Sequence, residues 1–103
     1  MATVRDNLIA AKALIDTPEK WRHDGGLWGD GCYCTLGAVG QAARDLNIPI
    51  AEDVFMLPAN QFLVRTLGHT WWGELALWND GADTTHADIM DLFDRAIAAQ
   101  PSP

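Results

Sequence analysis

Thr85-His86-Ala87-Asp88-Ile89-Met90-Asp91-Leu92-Phe93-Asp94-Arg95-Ala96-Ile97 decides the fold class of this chain. Ile89, Leu92, Phe93, Ala96 and Ile97 recur with the three- and four-residue spacing of an α-helix that buries one face. Asp83, Thr84 and Thr85 offer N-caps, and Asp88 follows Thr85 by three residues, an acidic form of the capping box. The same period recurs upstream. Val4, Leu8, Ala11 and Ile15, with Leu14 beside them, predict a helix over 3–16, capped by Thr3 and ended by Thr17-Pro18. Leu36, Val39, Ala43 and Leu46 predict a second, from Cys34 or Thr35 to Leu46, whose small Gly37, Ala38 and Gly40 let a neighbour approach its backbone. Pro58 and Gly68 frame a third over 58–67, with Phe62, Leu63 and Leu67 inward.

The segments between these helices are less regular. Residues 17–33 combine aromatic anchors with Gly25, Gly26, Gly29 and Gly31, which predicts an irregular loop or tight hairpin with Leu27-Trp28 as one short strand at most. Asn47-Ile48-Pro49 predicts a helix exit, and Val54 to Leu57 a helical turn over the core. His69 to Trp78 suggests one further helical turn, and Asn79-Asp80-Gly81 a tight bend. The expectation is a small all-α domain of about four helices over residues 1–100, with 101–103 as a disordered tail. With 103 residues the core is thin, so the five tryptophans are expected to supply large buried areas.

Composition narrows the function. Hydrophobic residues make up 49% of the chain and charged ones 20%, which excludes a mostly disordered protein. No apolar run approaches the roughly 20 residues that cross a bilayer, and the first residues lack the layout of a signal peptide. A cytoplasmic protein is expected. Fourteen acids against seven bases leave a net charge of −7, without the basic stripe that a phosphate backbone or an anionic membrane requires. Cys32 and Cys34, separated by one residue, would close a strained ring, so reduced thiols are expected.

Two polar clusters invite a chemical reading. His23, Asp24, Asp30, Cys32 and Cys34 are metal-ligand types, with His23, Cys32 and Cys34 the candidate ligands. Their spacing departs from the pattern of zinc sites, and a buried Cys34 at a helix entry is the simpler account. A thiolate there would be favoured by the helix dipole, yet catalysis also needs a base, an orienter and an oxyanion donor. Asn79, Asp80 and His86 could line a polar pocket walled by Trp71, Trp72 and Trp78. The plainer alternative has Asn79 and Asp80 bonding loop amides while Trp78 plugs the core and Thr85 caps the last helix. No phosphate-binding glycine loop, nucleophile elbow or paired-histidine motif is present. No catalytic residue and no cofactor is therefore assigned. Trp71 and Trp72 are adjacent and cannot both face one core, so at least one indole is expected to be partly exposed, either anchoring an interface or lying flat under the loop at 21–31.

Trp28, Cys34-Thr35-Leu36-Gly37-Ala38, Leu67-Gly68 and Trp78-Asn79-Asp80 followed by Thr85 together resemble a family of short uncharacterised proteins of actinobacteria and their bacteriophages, grouped as a domain of unknown function. The resemblance spans most of residues 4–98. Here Asp83-Thr84 stand where Gly-Arg is commoner, and Cys32 is additional. The resemblance implies no activity. It does imply small accessory products, of which phage examples commonly bind a host protein.

The expectation is a non-catalytic interaction module that binds another protein through Trp71, Trp72 and Trp28, with a weak homodimer as a further option. The alternative is a ligand-binding or enzymatic domain using residues 23–34 and the Trp78-Asn79-Asp80 turn, with or without a metal.

Overall fold

Matching capping boxes start the first and last helices. Thr3 Oγ1 accepts from the Asp6 amide at 3.1 Å while the Asp6 carboxylate accepts from the Thr3 amide at 2.9 Å; Thr85 and Asp88 do the same at 3.2 and 2.9 Å. Each pair satisfies two amides that a helix start leaves without partners. The computed structural model describes residues 2–23, 28–29, 31–50 and 53–100, and only the backbone of Trp28 and Gly29. Five helices lie among them: α1 (Val4–Leu14), α2 (Thr35–Asp45), α3 (Pro58–Leu67), α4 (Trp72–Asn79) and α5 (His86–Ala98). Single 3-10 turns cover Pro18–Lys20 and Val54–Met56.

The all-α expectation holds, with five helices in place of about four. The added element is α4, expected as a single turn and observed as an eight-residue helix. Its sequence is apolar on nearly every face, so no amphipathic period marks it. Between α1 and α2, β1 (Trp28–Gly29) pairs antiparallel with β2 (Cys32–Tyr33) in the register Trp28 to Tyr33 and Gly29 to Cys32. The rest of that expected loop, Asp24 to Leu27 and Asp30, and the expected tail at 101–103 lie outside the described residues.

Helix exits follow local chemistry. After α2, Asn47 adopts φ +59°, and Ile48 N donates back to Ala43 O at 2.8 Å. After α3, Gly68 at φ +95° lets His69 N reach Val64 O at 3.0 Å. Both are left-handed C-terminal motifs that glycine and asparagine accommodate best.

The core joins Leu8, Ala11 and Ile15 of the α1 region to Leu36, Val39 and Ala43 of α2, Leu63 and Val64 of α3, Leu75 of α4, and Ile89, Leu92 and Phe93 of α5. α1 packs mainly on α2, and α5 on α1 and α3. Of the tryptophans expected to supply buried area, the described ones pack against the core from its edge, except Trp71. Trp21, Trp72 and Trp78 are half-buried at its rim and Trp71 is exposed, because alanines and leucines on closely packed helices already fill the centre. No helix among the described residues is long and apolar enough to cross a membrane.

The small residues of α2 have a defined use. A Cβ on Gly40 would stand 2.6 Å from Val54 Cγ2, so glycine lets the Val54–Met56 turn lie against α2. Val54 is β-branched and has few rotamers to escape into. Gly40→Ala is expected to lower the free energy of unfolding by about 1–3 kcal/mol through overpacking. Urea unfolding reads this directly, and an unchanged midpoint would mean that the turn shifts without strain.

Candidate functional site

α4 ends on Asn79, whose side chain is 1% exposed and fully engaged. Its carbonyl Oδ1 accepts from Trp21 Nε1 at 2.9 Å, the Thr35 amide at 3.0 Å and Thr35 Oγ1 at 2.6 Å. Its Nδ2 donates to the Arg22 carbonyl at 3.1 Å and to Asp80 Oδ1 at 2.9 Å. One amide therefore joins the segment after α1, the first turn of α2 and the last turn of α4. The Thr35 N–H is one of the donors that the start of α2 leaves open, and Asn79 fills it from another helix. Cys34, the N-cap residue, uses its sulfur to accept from Gly37 N at 3.3 Å.

Beside this junction lies a cavity of about 170 Å³ lined by Cys34, Leu36, Phe55, Trp72, Ala76, Asn79 and Asp80. Cys34, Leu36 and Asn79 are buried and close its inner end, whereas Asp80 is exposed. Phe55 and Trp72 form one wall, their rings stacked at 4.3 Å and 10°. Burial pushes the Cys34 thiol above its ordinary range; the charge of Asp80 acts in the same direction, and the Gly37 and Leu36 amides oppose it without reversing it. Helix-start stabilisation of a thiolate, weighed from sequence, is thus outweighed by desolvation.

The expected polar pocket is assembled in part. Asn79 and Asp80 both line the cavity. His86, the first residue of α5, instead places Nε2 2.7 Å from the Ile15 carbonyl, which requires its proton on that nitrogen. Its ring meets Trp21 at a centroid distance of 6.0 Å. His23 places Nε2 2.7 Å from the Gly81 carbonyl and its ring against Trp21 at 4.7 Å. His69 pairs with Glu74. Each histidine is committed to a structural contact, and none lines the cavity beside the thiol. The site offers shape, aromatic faces and a carboxylate, which suits binding more than nucleophilic chemistry.

The candidate metal ligands do not converge. Cys32 Sγ donates to the Glu19 carbonyl at 3.2 Å while Cys34 serves α2. Among the described residues no three His, Cys, Asp or Glu side chains gather as a metal set. Trp71 and Trp72 do come together, with centroids 5.4 Å apart and planes inclined at 50°. The Trp28 side chain lies outside the described residues. Phe55, Thr35 and Trp21 went unassigned as site residues in the sequence. Phe55 lies in an aperiodic stretch, and the contacts of Thr35 and Trp21 with Asn79 span 44 and 58 residues.

Asn79→Ala removes five hydrogen bonds and leaves buried donors without acceptors. The expected loss is about 3–5 kcal/mol of unfolding free energy. Denaturant titration measures it, and a loss below about 1 kcal/mol would show that water replaces the amide freely.

No curated protein and no solved structure matches the chain. A family model described as a family of unknown function (DUF6197) matches residues 1–99. The chain belongs to that family.

Proposed function

We propose that this protein is a small, non-catalytic interaction module that binds another protein through the aromatic face shared by Phe55, Met56, Trp71 and Trp72. The observation that carries this reading is Trp71. It is 56% exposed, yet its ring is held in place between Trp72 and the backbone of Gly73, where any Cβ would overlap the indole. An exposed, preorganised tryptophan loses little side-chain entropy on binding, which is why such residues anchor interfaces. Met56, 55% exposed, follows Phe55 directly and extends the apolar surface with an adaptable side chain.

The net charge of −7 favours a partner with a basic rim. The family resemblance supports an accessory role in actinobacteria or their phages. Two thiols without a disulfide fit work in a reducing cytoplasm. A second reading, a small ligand held by the cavity alone, is favoured by its apolar lining and by the buried Cys34 and Asn79 at its inner end.

A photo-crosslinking amino acid placed at position 71 tests the interface in the organism that encodes the protein. The same group at Ala13, exposed on α1, is the control. Discrete adducts are expected from position 71 at about ten times the yield from position 13; an adduct of two chains would make the partner a second copy. Equal patterns from the two positions would remove the proposed face. Gly73→Ala should weaken capture of the same partner by displacing Trp71, with the circular dichroism spectrum unchanged.

A further inference from the structure

We infer that the cavity between Asp80, Trp72 and Phe55 receives the cationic side chain of an arginine or lysine from a basic partner. The stem would lie along the two rings at the cavity mouth, so that the charged head meets the exposed Asp80 carboxylate at the rim and not the buried inner end. This deepens the interaction reading and rests on it. It assigns the cavity beside the aromatic face a specific chemistry.

Size is the first support. A dry cavity of about 150 Å³ takes a molecule as large as benzene, and this one measures about 170 Å³. That accommodates the handful of non-hydrogen atoms in a lysine or arginine side chain, and little more. The lining is the second. Leu36, Ala76, Phe55 and Trp72 present apolar or aromatic surface, which suits the methylene stem of these residues. Because the Trp72 indole is already stacked on Phe55 and bordered by Trp71, the two rings serve the stem as an apolar wall, and the charged head depends on the carboxylate.

Charge decides between ligand classes. Asp80 is the exposed residue of the lining and the C-cap of α4, where the carbonyl end of the helix adds negative potential. Its Oδ1 is held by Asn79 Nδ2, so the carboxylate is positioned before any ligand arrives. None of the ion pairs among the described residues involves Asp80. The opposing positive end of α2 is already occupied at the cavity, since Thr35 N donates to Asn79 and Gly37 N to Cys34. An anionic ligand would meet the carboxylate at close range. A neutral one would cover it without replacing its water. A cation with an apolar stem satisfies both ends.

The test is an NMR titration of the ¹⁵N-labelled full chain with N-acetyl-arginine methylamide, N-acetyl-lysine methylamide and the uncharged N-acetyl-citrulline methylamide. Saturating shifts are expected at the Trp72 indole and the Asp80 amide for the two cationic probes, with Kd on the order of 1 mM. Citrulline should bind at least tenfold more weakly. Asp80→Asn should weaken the arginine probe about tenfold and leave the melting temperature unchanged, because Asp80 is exposed and asparagine keeps an acceptor for Asn79. Equal affinity for arginine and citrulline would overturn the proposal. So would non-saturating shifts spread over acidic positions such as Asp91 and Asp94. Crosslinking from position 71 together with either of these results would keep the interaction face and remove the cationic occupant.

Discussion

The Asn79 side-chain carbonyl takes three hydrogen bonds at once, two of them from Thr35 at the start of α2, and the arrangement around it depends on that acceptor. A helix start buried under other elements needs partners for its amides, and water cannot reach these. α4 supplies the partner from its last residue, so the end of one helix is fixed to the beginning of another. Two other buried asparagines grip the same helix: Asn7 Nδ2 donates to Val39 O at 3.1 Å, and Asn60 Nδ2 reaches Leu36 O at 3.5 Å and Val54 O at 2.8 Å. Three helices thus each hold α2 by an amide as well as by apolar contact. Such contacts are directional and define one alignment of helices where apolar packing alone tolerates several. Asn60 Oδ1 is buried without a partner, which makes Asn79 the better satisfied of the two.

The same constraint separates structure from function in the polar residues. Asn79, His23 and His86 have the composition of a reactive cluster, but each is committed to holding backbone or indole groups. What remains available lies one step outward: the Asp80 carboxylate, the Phe55–Trp72 stack and the exposed Trp71 ring. The junction holds the end of α4 in place, and the aromatic face follows from where that helix starts and where the Val54–Met56 turn meets α2. Gly40 permits that meeting, and Gly73 gives Trp71 its seat.

The helices were largely legible in the sequence because their signals are local. Thr3 with Asp6 and Thr85 with Asp88 announce two starts; Pro58 and Gly68 bracket a third helix. α4 was harder, since Trp72, Leu75, Ala76, Leu77 and Trp78 leave no polar stripe to set a period, and Leu77 ends 72% exposed despite its type. The site was legible only in part. Asn79-Asp80-Gly81 carries the local signature of a turn, which hides the fact that Asn79 reaches residues 44 and 58 positions away. Tryptophan contributes buried area from the rim, where Trp21, Trp72 and Trp78 pack on a centre of small and aliphatic side chains with Phe93, and Trp21 finds an acceptor for its N–H there. A surface indole at Trp71-Trp72 was legible because two adjacent indoles cannot both face one core; that the two rings nonetheless meet follows from Trp71 being the extended N-cap of α4.

Native-state hydrogen exchange at the Trp21 indole N–H and the Thr35 amide tests the central claim most directly, since both donate to Asn79. If Asn79 secures the junction, the two protons exchange only through the opening that exposes the core, with the same protection as the Phe93 amide in α5. Exchange of both protons at the rate of exposed groups, with Phe93 still protected, would contradict the account, because the three segments would then separate while the core stays folded.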